Sequence, residues 1–154
     1  MQQDPGIRRL APLIGEWSVE ATFPSTTPQP LGQSAPAGRA TFEWILDGQF
    51  LCQRVEIPHS DAPDSLAIIG CDPTTDAYTQ HYFDSRGVAR VYVMGFEGGV
   101  WTLLREAPDF TPLHFAQRFT GTLSADGRSI AGRWETGDGQ VWSHDFDLVY
   151  TRVG

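Results

Sequence analysis

The sequence lacks two residue types altogether. Its 154 residues contain no Lys and no Asn, so all 11 basic residues are Arg, against 19 acidic ones and a net charge of −8. Without Lys there is no Schiff-base nucleophile, no pyridoxal anchor and no phosphate-binding Lys of a P-loop. Without Asn there is no N-glycosylation acceptor and no Asn side chain to stabilise a transition state.

Clusters of basic residues and long apolar runs are missing as well. Nucleic acids and anionic membranes bind clustered cations, which a chain of net charge −8 without a basic run does not offer. No apolar run approaches the ~20 residues of a membrane span, and the first residues carry no secretory pattern. We therefore expect one domain, 1–154, in the cytoplasm, with neither nucleic-acid nor membrane partners.

Cysteine is scarce, with only Cys52 and Cys71 present. Two thiols are too few for a disulfide scaffold or an all-Cys zinc site. They lie symmetrically about residues 58–64, so two antiparallel strands joined there could bring the thiols together. Two buried, reduced thiols are the simpler interpretation.

Apolar and polar residues alternate through most of the chain, which predicts an all-β fold. Asp4-Pro5 resembles a helix N-cap followed by Pro at the first helical position, and it predicts a short helix over about 5–14. Turn residues such as Asp47-Gly48 separate ten strand candidates. The candidates are 16–23, 39–46, 49–57, 65–71, 78–84, 88–96, 99–106, 113–123, 128–135 and 140–152.

Ten short antiparallel strands in sequence predict a single up-and-down barrel, because closure protects both edge strands. If the first strand runs upward, the longer loops, including 24–38, 58–64 and 107–112, gather at the upper end. The lower end receives mostly tight turns. One open and one closed end are typical of a ligand-binding barrel, and residues 24–38 are a candidate lid.

The first and last strands are predicted to meet at the lower end. There, Trp17 and Arg152 lie on neighbouring strands, so the indole and the guanidinium could form a cation–π contact that closes the barrel floor. A Gly-x-Trp motif with a late Arg resembles the floor signature of lipocalin-like barrels.

Over residues 7–152 the chain more closely resembles an uncharacterised bacterial family of lipocalin-like (calycin) domains. The resemblance implies a barrel of about ten strands and no settled activity. Its motifs are Leu-x-Gly-x-Trp at 13–17, Gly-Cys-Asp-Pro-Thr-Thr-Asp-Ala-Tyr at 70–78, Asp-Ser-x-Gly at 84–87 and Tyr-Thr-Arg at 150–152.

A more distant resemblance is to nitrobindin-like barrels, which hold ferric haem through a His on the final strand. The resemblance implies that His144 would be that ligand and haem the candidate cofactor. Two features depart from the haem-binding pattern. Val19 and Ala21 stand where those barrels carry a Gly-rich stripe, and their His-x-Glu-x-Gly motif is absent.

His144 heads the candidate functional residues. It alternates in register with Trp142 and Phe146 on the last strand, and we expect this apolar face to point inward. An inward His could ligate haem iron or act as a general base. A hydrogen-bonded core residue is the simpler alternative.

Two other polar side chains are predicted to point inward. Gln117 lies between Phe115 and Phe119, and Tyr92 lies between Arg90 and Met94. Both could orient a ligand, or they could be satisfied within the core. The remaining histidines carry weaker expectations: an unassigned face for His81, exposure for His114 and a solvated loop for His59.

The sequence shows no motif for a protein-only metal site or a serine nucleophile. No two His lie at i, i+2 or i, i+4 spacing, and Cys-x-x-Cys, His-Glu-x-x-His and Gly-x-Ser-x-Gly are absent.

The leading hypothesis is a barrel that binds a small apolar or amphipathic molecule. The alternative is a cofactor-free isomerase or cyclase in which His144, Tyr92 or Gln117 polarises the substrate. A structural or interaction module is a third hypothesis, and a homodimer is compatible with all three. The expected ligand-binding residues are His144, Gln117, Tyr92, Trp142, Phe115 and Phe119.

Overall fold

The computed structural model describes residues 2–22, 37–58, 62–112 and 114–154. Ten antiparallel strands close into a barrel in which β1 pairs with both β2 and β10. The prediction of an all-β, up-and-down barrel of about ten strands is therefore confirmed. The strands are β1 (Gly15–Thr22), β2 (Gly38–Ile45), β3 (Phe50–Glu56), β4 (Ser65–Cys71), β5 (Tyr78–Asp84), β6 (Ala89–Glu97), β7 (Val100–Arg105), β8 (Ala116–Leu123), β9 (Ser129–Gly137) and β10 (Trp142–Arg152).

The predicted N-terminal helix is present but divided. Helix α1 spans Pro5–Arg8, and a 3₁₀ turn spans Ala11–Leu13. The Asp4 carboxylate caps α1 by accepting the Gly6 N–H at 2.6 Å. Pro12 has no N–H with which to continue an α-helix, so the chain tightens into a 3₁₀ turn there. No helix among the described residues has the length and apolarity needed to cross a membrane.

The N-terminal segment covers the lower end of the barrel. Its apolar side chains, Ile7, Leu10 and Leu13, are fully buried. The Tyr78 hydroxyl donates to the carbonyl of Gly6 at 2.6 Å. The N-terminal segment therefore packs across the lower end, and the upper end is the one at which β1 ends and β2 begins.

Tight turns join the strands at the lower end. Between β6 and β7, Gly98 and Gly99 both have positive φ angles, of 59° and 77°. A two-residue hairpin whose central residues both have positive φ matches the right-handed twist of the strands, and Gly adopts it without steric cost.

Strand β10 contains the main irregularity of the sheet. Its register against β9 shifts between His144 and Phe146, so Asp145 is an extra residue that forms a β-bulge. A bulge reverses the alternation of side chains across it. Before the bulge the odd-numbered Ser143 is on the inward face, and after it the even-numbered Phe146 is.

Candidate functional site

The lower half of the barrel interior is packed with aromatic rings. The Trp101 ring lies 4.9 Å from Phe119, 5.9 Å from Phe42 and 6.0 Å from Tyr150, centroid to centroid. Gly132 leaves the space that Phe119 occupies, because a Cβ there would lie 2.6 Å from the ring. This half forms a packed core above the floor.

The upper half contains a polar cluster on inward faces of β6 and β8. The Tyr92 hydroxyl donates to Gln117 Oε1 at 3.1 Å, and Arg90 Nη1 donates to the same oxygen at 3.2 Å. Tyr92 and Gln117 are buried and Arg90 is half-buried. Burial raises the pKa of Tyr92, and the hydrogen bond from Arg90 opposes that rise. We call Arg90, Tyr92 and Gln117 the upper polar cluster.

Aromatic rings surround the upper polar cluster. The Tyr92 ring makes edge contacts with Tyr82 at 6.3 Å and with Trp134 at 5.7 Å. The Trp134 ring in turn stacks with Phe146 at 6.4 Å. The upper interior therefore combines apolar walls with a small group of hydrogen-bonding side chains, the composition of small-molecule sites.

Three buried side-chain atoms of the described residues have no hydrogen-bond partner: Gln80 Oε1, Arg90 Nε and Trp101 Nε1. All three side chains belong to the inward faces of their strands, since each alternates in register with buried neighbours. Buried polar groups are nearly always satisfied, so unsatisfied ones inside a barrel require an explanation.

Two ion pairs fix the chain near the upper end. Arg105 Nε lies 2.7 Å from Asp109 Oδ2, with both side chains almost completely buried. The Arg105 hydrogen bond, with backbone donors from Thr111 and Val91, holds the pKa of Asp109 well below its usual value. This carboxylate links β6, β7 and the loop before β8.

The second pair lies at the end of β5. Arg86 Nη2 is 2.7 Å from Asp84 Oδ2, and the Tyr82 hydroxyl donates to the same oxygen at 2.9 Å. Burial alone would raise the pKa of Asp84, but hydrogen bonds from Arg86 and Tyr82 outweigh it and lower the pKa. Burial, together with the bond to Asp84, raises the pKa of Tyr82.

A cleft of about 370 Å³ opens at the upper end, between the rims of β8, β9 and β10. Thr136 and Ser143 face the same side of the sheet as Gln117, through the pairs Gln117↔Thr136 and Ser143↔Thr136. The other lining residues are His114, Phe115, Gly137, Asp138 and Val141. The cleft therefore adjoins the upper polar cluster along one register row.

The expectation that His144 points into the barrel is wrong. The β-bulge at Asp145 pairs His144 with Glu135, on the outer face, whereas Phe146 pairs with the inward Trp134. His144 Nε2 lies 3.0 Å from Asp147 Oδ1, and its side chain is 32% exposed. Regular alternation, on which the expectation depended, is broken by the extra residue.

Trp142 was expected on the same inward face, and the bulge places it outside as well. Its ring lies 4.3 Å beneath the guanidinium of Arg118, which also pairs with Glu135. Of the other expected ligand-binding residues, Gln117, Tyr92 and Phe119 are buried inside, and Phe115 is 40% exposed at the upper cleft.

The other histidines also lie away from the interior. His81 is exposed on β5, between the inward Gln80 and Tyr82. His114 is exposed at the upper cleft. His59 and residues 24–36 of the candidate lid lie outside the described residues.

Haem bound through His144 does not fit this barrel. The imidazole is on the outer face, and the lower interior is filled by the rings around Trp101. No other described His is buried in the interior. The described residues also bring together no group of three or more His, Cys, Asp or Glu side chains able to hold a metal ion.

At the lower end the Arg152 guanidinium lies 4.1 Å from the centroid of the Trp17 ring, and the two residues are register partners. Arg152 Nη1 also donates to Ile14 O at 2.6 Å, and Nη2 donates to Pro12 O at 2.7 Å. The Trp17 indole donates to Leu13 O at 2.9 Å. The pair ties both ends of the chain to the barrel floor.

The two cysteines do not face each other. The β3–β4 register places Cys52 opposite Ile68, while Cys71 pairs with Tyr78 on β5. Both thiols are free, and burial raises the pKa of each. The symmetry about residues 58–64 was misleading because the hairpin is offset from that centre.

Comparisons with known proteins identify the fold. No protein-family model matches the chain, and no curated protein matches it either. Among solved structures, the crystal structure of Rv2717c from M. tuberculosis matches with a TM-score of 0.63 and 16% identity, covering 99% of this chain and 100% of that one. At this identity the match shows a shared barrel fold.

Sequence reasoning did not single out Arg90, Gln80 or the Arg105–Asp109 pair as parts of the interior. Arg90 lies two residues before Tyr92 on β6, and Gln80 pairs with Tyr92 from β5, so alternation places both side chains on the inward face. Their polarity hid it, because charged and amide side chains on a mixed strand are usually assigned to solvent.

Proposed function

We propose that this protein binds a small amphipathic molecule in the upper half of its barrel, with access from the upper end. The observation that carries the proposal is the pair of unsatisfied polar atoms on inward side chains at the level of Tyr92, Gln80 Oε1 and Arg90 Nε. A bound molecule with polar groups would supply their missing partners, which a purely apolar core cannot do.

The division of the interior supports an amphipathic rather than a wholly apolar ligand. The rings of Tyr82, Tyr92 and Trp134 offer an apolar wall. The upper polar cluster offers hydrogen-bond donors beside that wall. The barrel fold shared with Rv2717c is compatible with this role, and free thiols suit the cytoplasmic location that we propose with it.

Catalysis is less well supported than binding. His144, the expected general base, contacts Asp147 on the outer face. The Tyr92 hydroxyl is already a donor to Gln117, and burial raises its pKa, which keeps it protonated at neutral pH. Neither residue is therefore arranged to remove a proton from a molecule inside the barrel.

The test is a fluorescence titration with 1-anilinonaphthalene-8-sulfonate, an amphipathic probe. We expect saturable binding to the folded protein. Thr136→Phe, which narrows the upper cleft, should weaken that binding about tenfold or more. Thr120→Phe is the matched control, because Thr120 alternates with the buried Phe119 and faces outward on β8.

The two variants separate an interior site from surface adsorption. Equal loss in both variants, or no loss in Thr136→Phe, would mean that the probe binds elsewhere. Absence of saturable binding to the wild-type protein, repeated with uncharged and fatty-chain ligands, would contradict the proposed function itself.

A further inference from the structure

We infer that the ligand carries a carboxylate headgroup on an apolar chain, and that Arg90 binds this headgroup. The inference rests on the proposed function and adds the chemical class of the ligand. It starts from the charge of the upper polar cluster, which the contacts among the described residues leave uncompensated.

Arg90 differs from the other arginines because it has no carboxylate partner among the described residues and its guanidinium contains a buried N–H, Nε, without an acceptor. Seven of the eleven Arg side chains form ion pairs with described Asp or Glu residues. Of the other four, Arg8 and Arg128 are exposed, and Arg152 is bound at the barrel floor. Arg90 is half-buried and inward, and Asp61 is the only acidic residue outside the described part of the chain.

The charges around Arg90 cancel in pairs and leave its own unbalanced. Arg105 is neutralised by Asp109, and Arg86 by Asp84. Burying part of a guanidinium without a counter-ion costs free energy, because the group loses hydration and gains no opposite charge. An anion bound at this position would offset that cost. One unpaired positive charge matches one negative charge, whereas a phosphate monoester carries about −1.5 to −2.

The geometry of the guanidinium favours a two-oxygen acceptor. Nη1 already donates to Gln117 Oε1, which also accepts from Tyr92 and can offer Arg90 little more. Nε has no acceptor among the described residues, so the edge that Nε shares with Nη2 has an unused donor. Carboxylates bind that edge through two parallel hydrogen bonds. Nε is enclosed, so the headgroup reaches it through a rearrangement of neighbouring side chains.

Calorimetric titration with matched ten-carbon ligands tests the inference. Decanoate should bind the wild-type protein about tenfold or more tightly than decanol, because only decanoate forms charge-assisted hydrogen bonds. Arg90→Gln should lower decanoate affinity to that of decanol and leave decanol binding unchanged. Arg133→Gln, which removes the same charge from an exposed pair with Asp147, should retain the preference.

Each outcome decides one part of the inference. If the wild-type protein binds decanoate and decanol equally, the carboxylate headgroup is overturned and the proposed function stands. If it binds neither ligand, both the carboxylate headgroup and the proposed function are overturned. A preference that survives in Arg90→Gln would exclude Arg90 as the binding residue. Tighter binding of decyl phosphate than of decanoate would replace carboxylate by phosphate.

If Arg90→Gln does not fold, Arg90→Lys takes its place. Lysine keeps the charge but lacks the planar edge with two parallel donors, so we expect decanoate affinity to fall several-fold with decanol affinity constant. An unchanged decanoate preference in Arg90→Lys would contradict the two-oxygen contact.

Discussion

At the scale of single residues, the buried Arg105–Asp109 pair is a contact whose loss should be costly. Asp109 accepts two hydrogen bonds from Arg105 and one each from the N–H groups of Val91 and Thr111. Asp109→Asn leaves the guanidinium buried without its counter-ion. We expect a loss of about 3–5 kcal/mol in the free energy of unfolding, measured by urea denaturation.

The matched control for Asp109→Asn is Asp147→Asn. Asp147 pairs with Arg133 at 3.4 Å in an exposed contact, so its loss should cost less than about 1 kcal/mol. Acid unfolding offers a second measurement. Because the folded pKa of Asp109 is depressed, its contribution is complete above the ordinary value of 3.8 and is lost as pH falls below it. The difference in the free energy of unfolding between the wild type and Asp109→Asn should therefore become smaller in acid. A difference that does not change with pH would contradict this role of the Asp109 carboxylate.

Part of the residue-level site could be predicted from alternation alone. Tyr92 and Gln117 were placed correctly inside because their neighbours at i±2 are mostly apolar. Arg90 belongs to the same alternation, but a sequence cannot show whether an Arg on an inward face has a carboxylate partner. That depends on which strands β6 meets across the barrel, and so on three-dimensional closure.

At the scale of elements, the bulge in β10 decides which face the candidate His occupies. Over residues 142–150 the even-numbered positions are mostly apolar and the odd-numbered positions mostly polar, so no residue marks the extra one. Only pairing with β9 shows that the register shifts between His144 and Phe146. The prediction for His144 failed because the sequence of β10 alone does not show how its residues pair with those of β9.

Deletion variants test the bulge. Removing Asp145, the extra residue, restores regular pairing and keeps His144 outside and Phe146 inside, so the urea midpoint should change little. Removing Val149 instead reverses the face of every β10 residue on one side of the deletion, and it should prevent cooperative folding. Similar losses in the two variants would show that Asp145 is an ordinary strand residue.

The contact between β10 and the N-terminal segment is a second test at the scale of elements. Arg152 donates to carbonyls of the 3₁₀ turn region and lies over Trp17. Arg152→Met retains the apolar stem but removes these interactions, and it should lower the free energy of unfolding by about 2–4 kcal/mol.

Arg39→Met is the control for the floor contact, because the one ion pair of Arg39 with a described residue is its exposed pair with Glu16. The free energy of unfolding of Arg39→Met should lie within about 1 kcal/mol of the wild-type value. Equal effects of the two substitutions in urea denaturation would mean that the floor contact adds no more than a surface ion pair.

At the scale of the whole molecule, the number of strands, their order and the closed barrel followed from period-two alternation and turn residues. These signals are local, and up-and-down connection makes local order equal to spatial order. The contents of the barrel were harder to predict, because they depend on which side chains meet across the interior. The same chain therefore has a readable architecture and a site that required the structure.

The central claim is that the upper half of the barrel is a binding site. Chemical-shift mapping of the ¹⁵N-labelled protein during a decanoate titration tests it most directly. We predict saturable shifts at the amides of Arg90, Tyr92, Gln117 and Thr136 and at the Arg90 Nε–H, with none at the Trp17 and Arg152 floor. Shifts confined to the outer face or the floor, or no saturable shifts, would contradict the account.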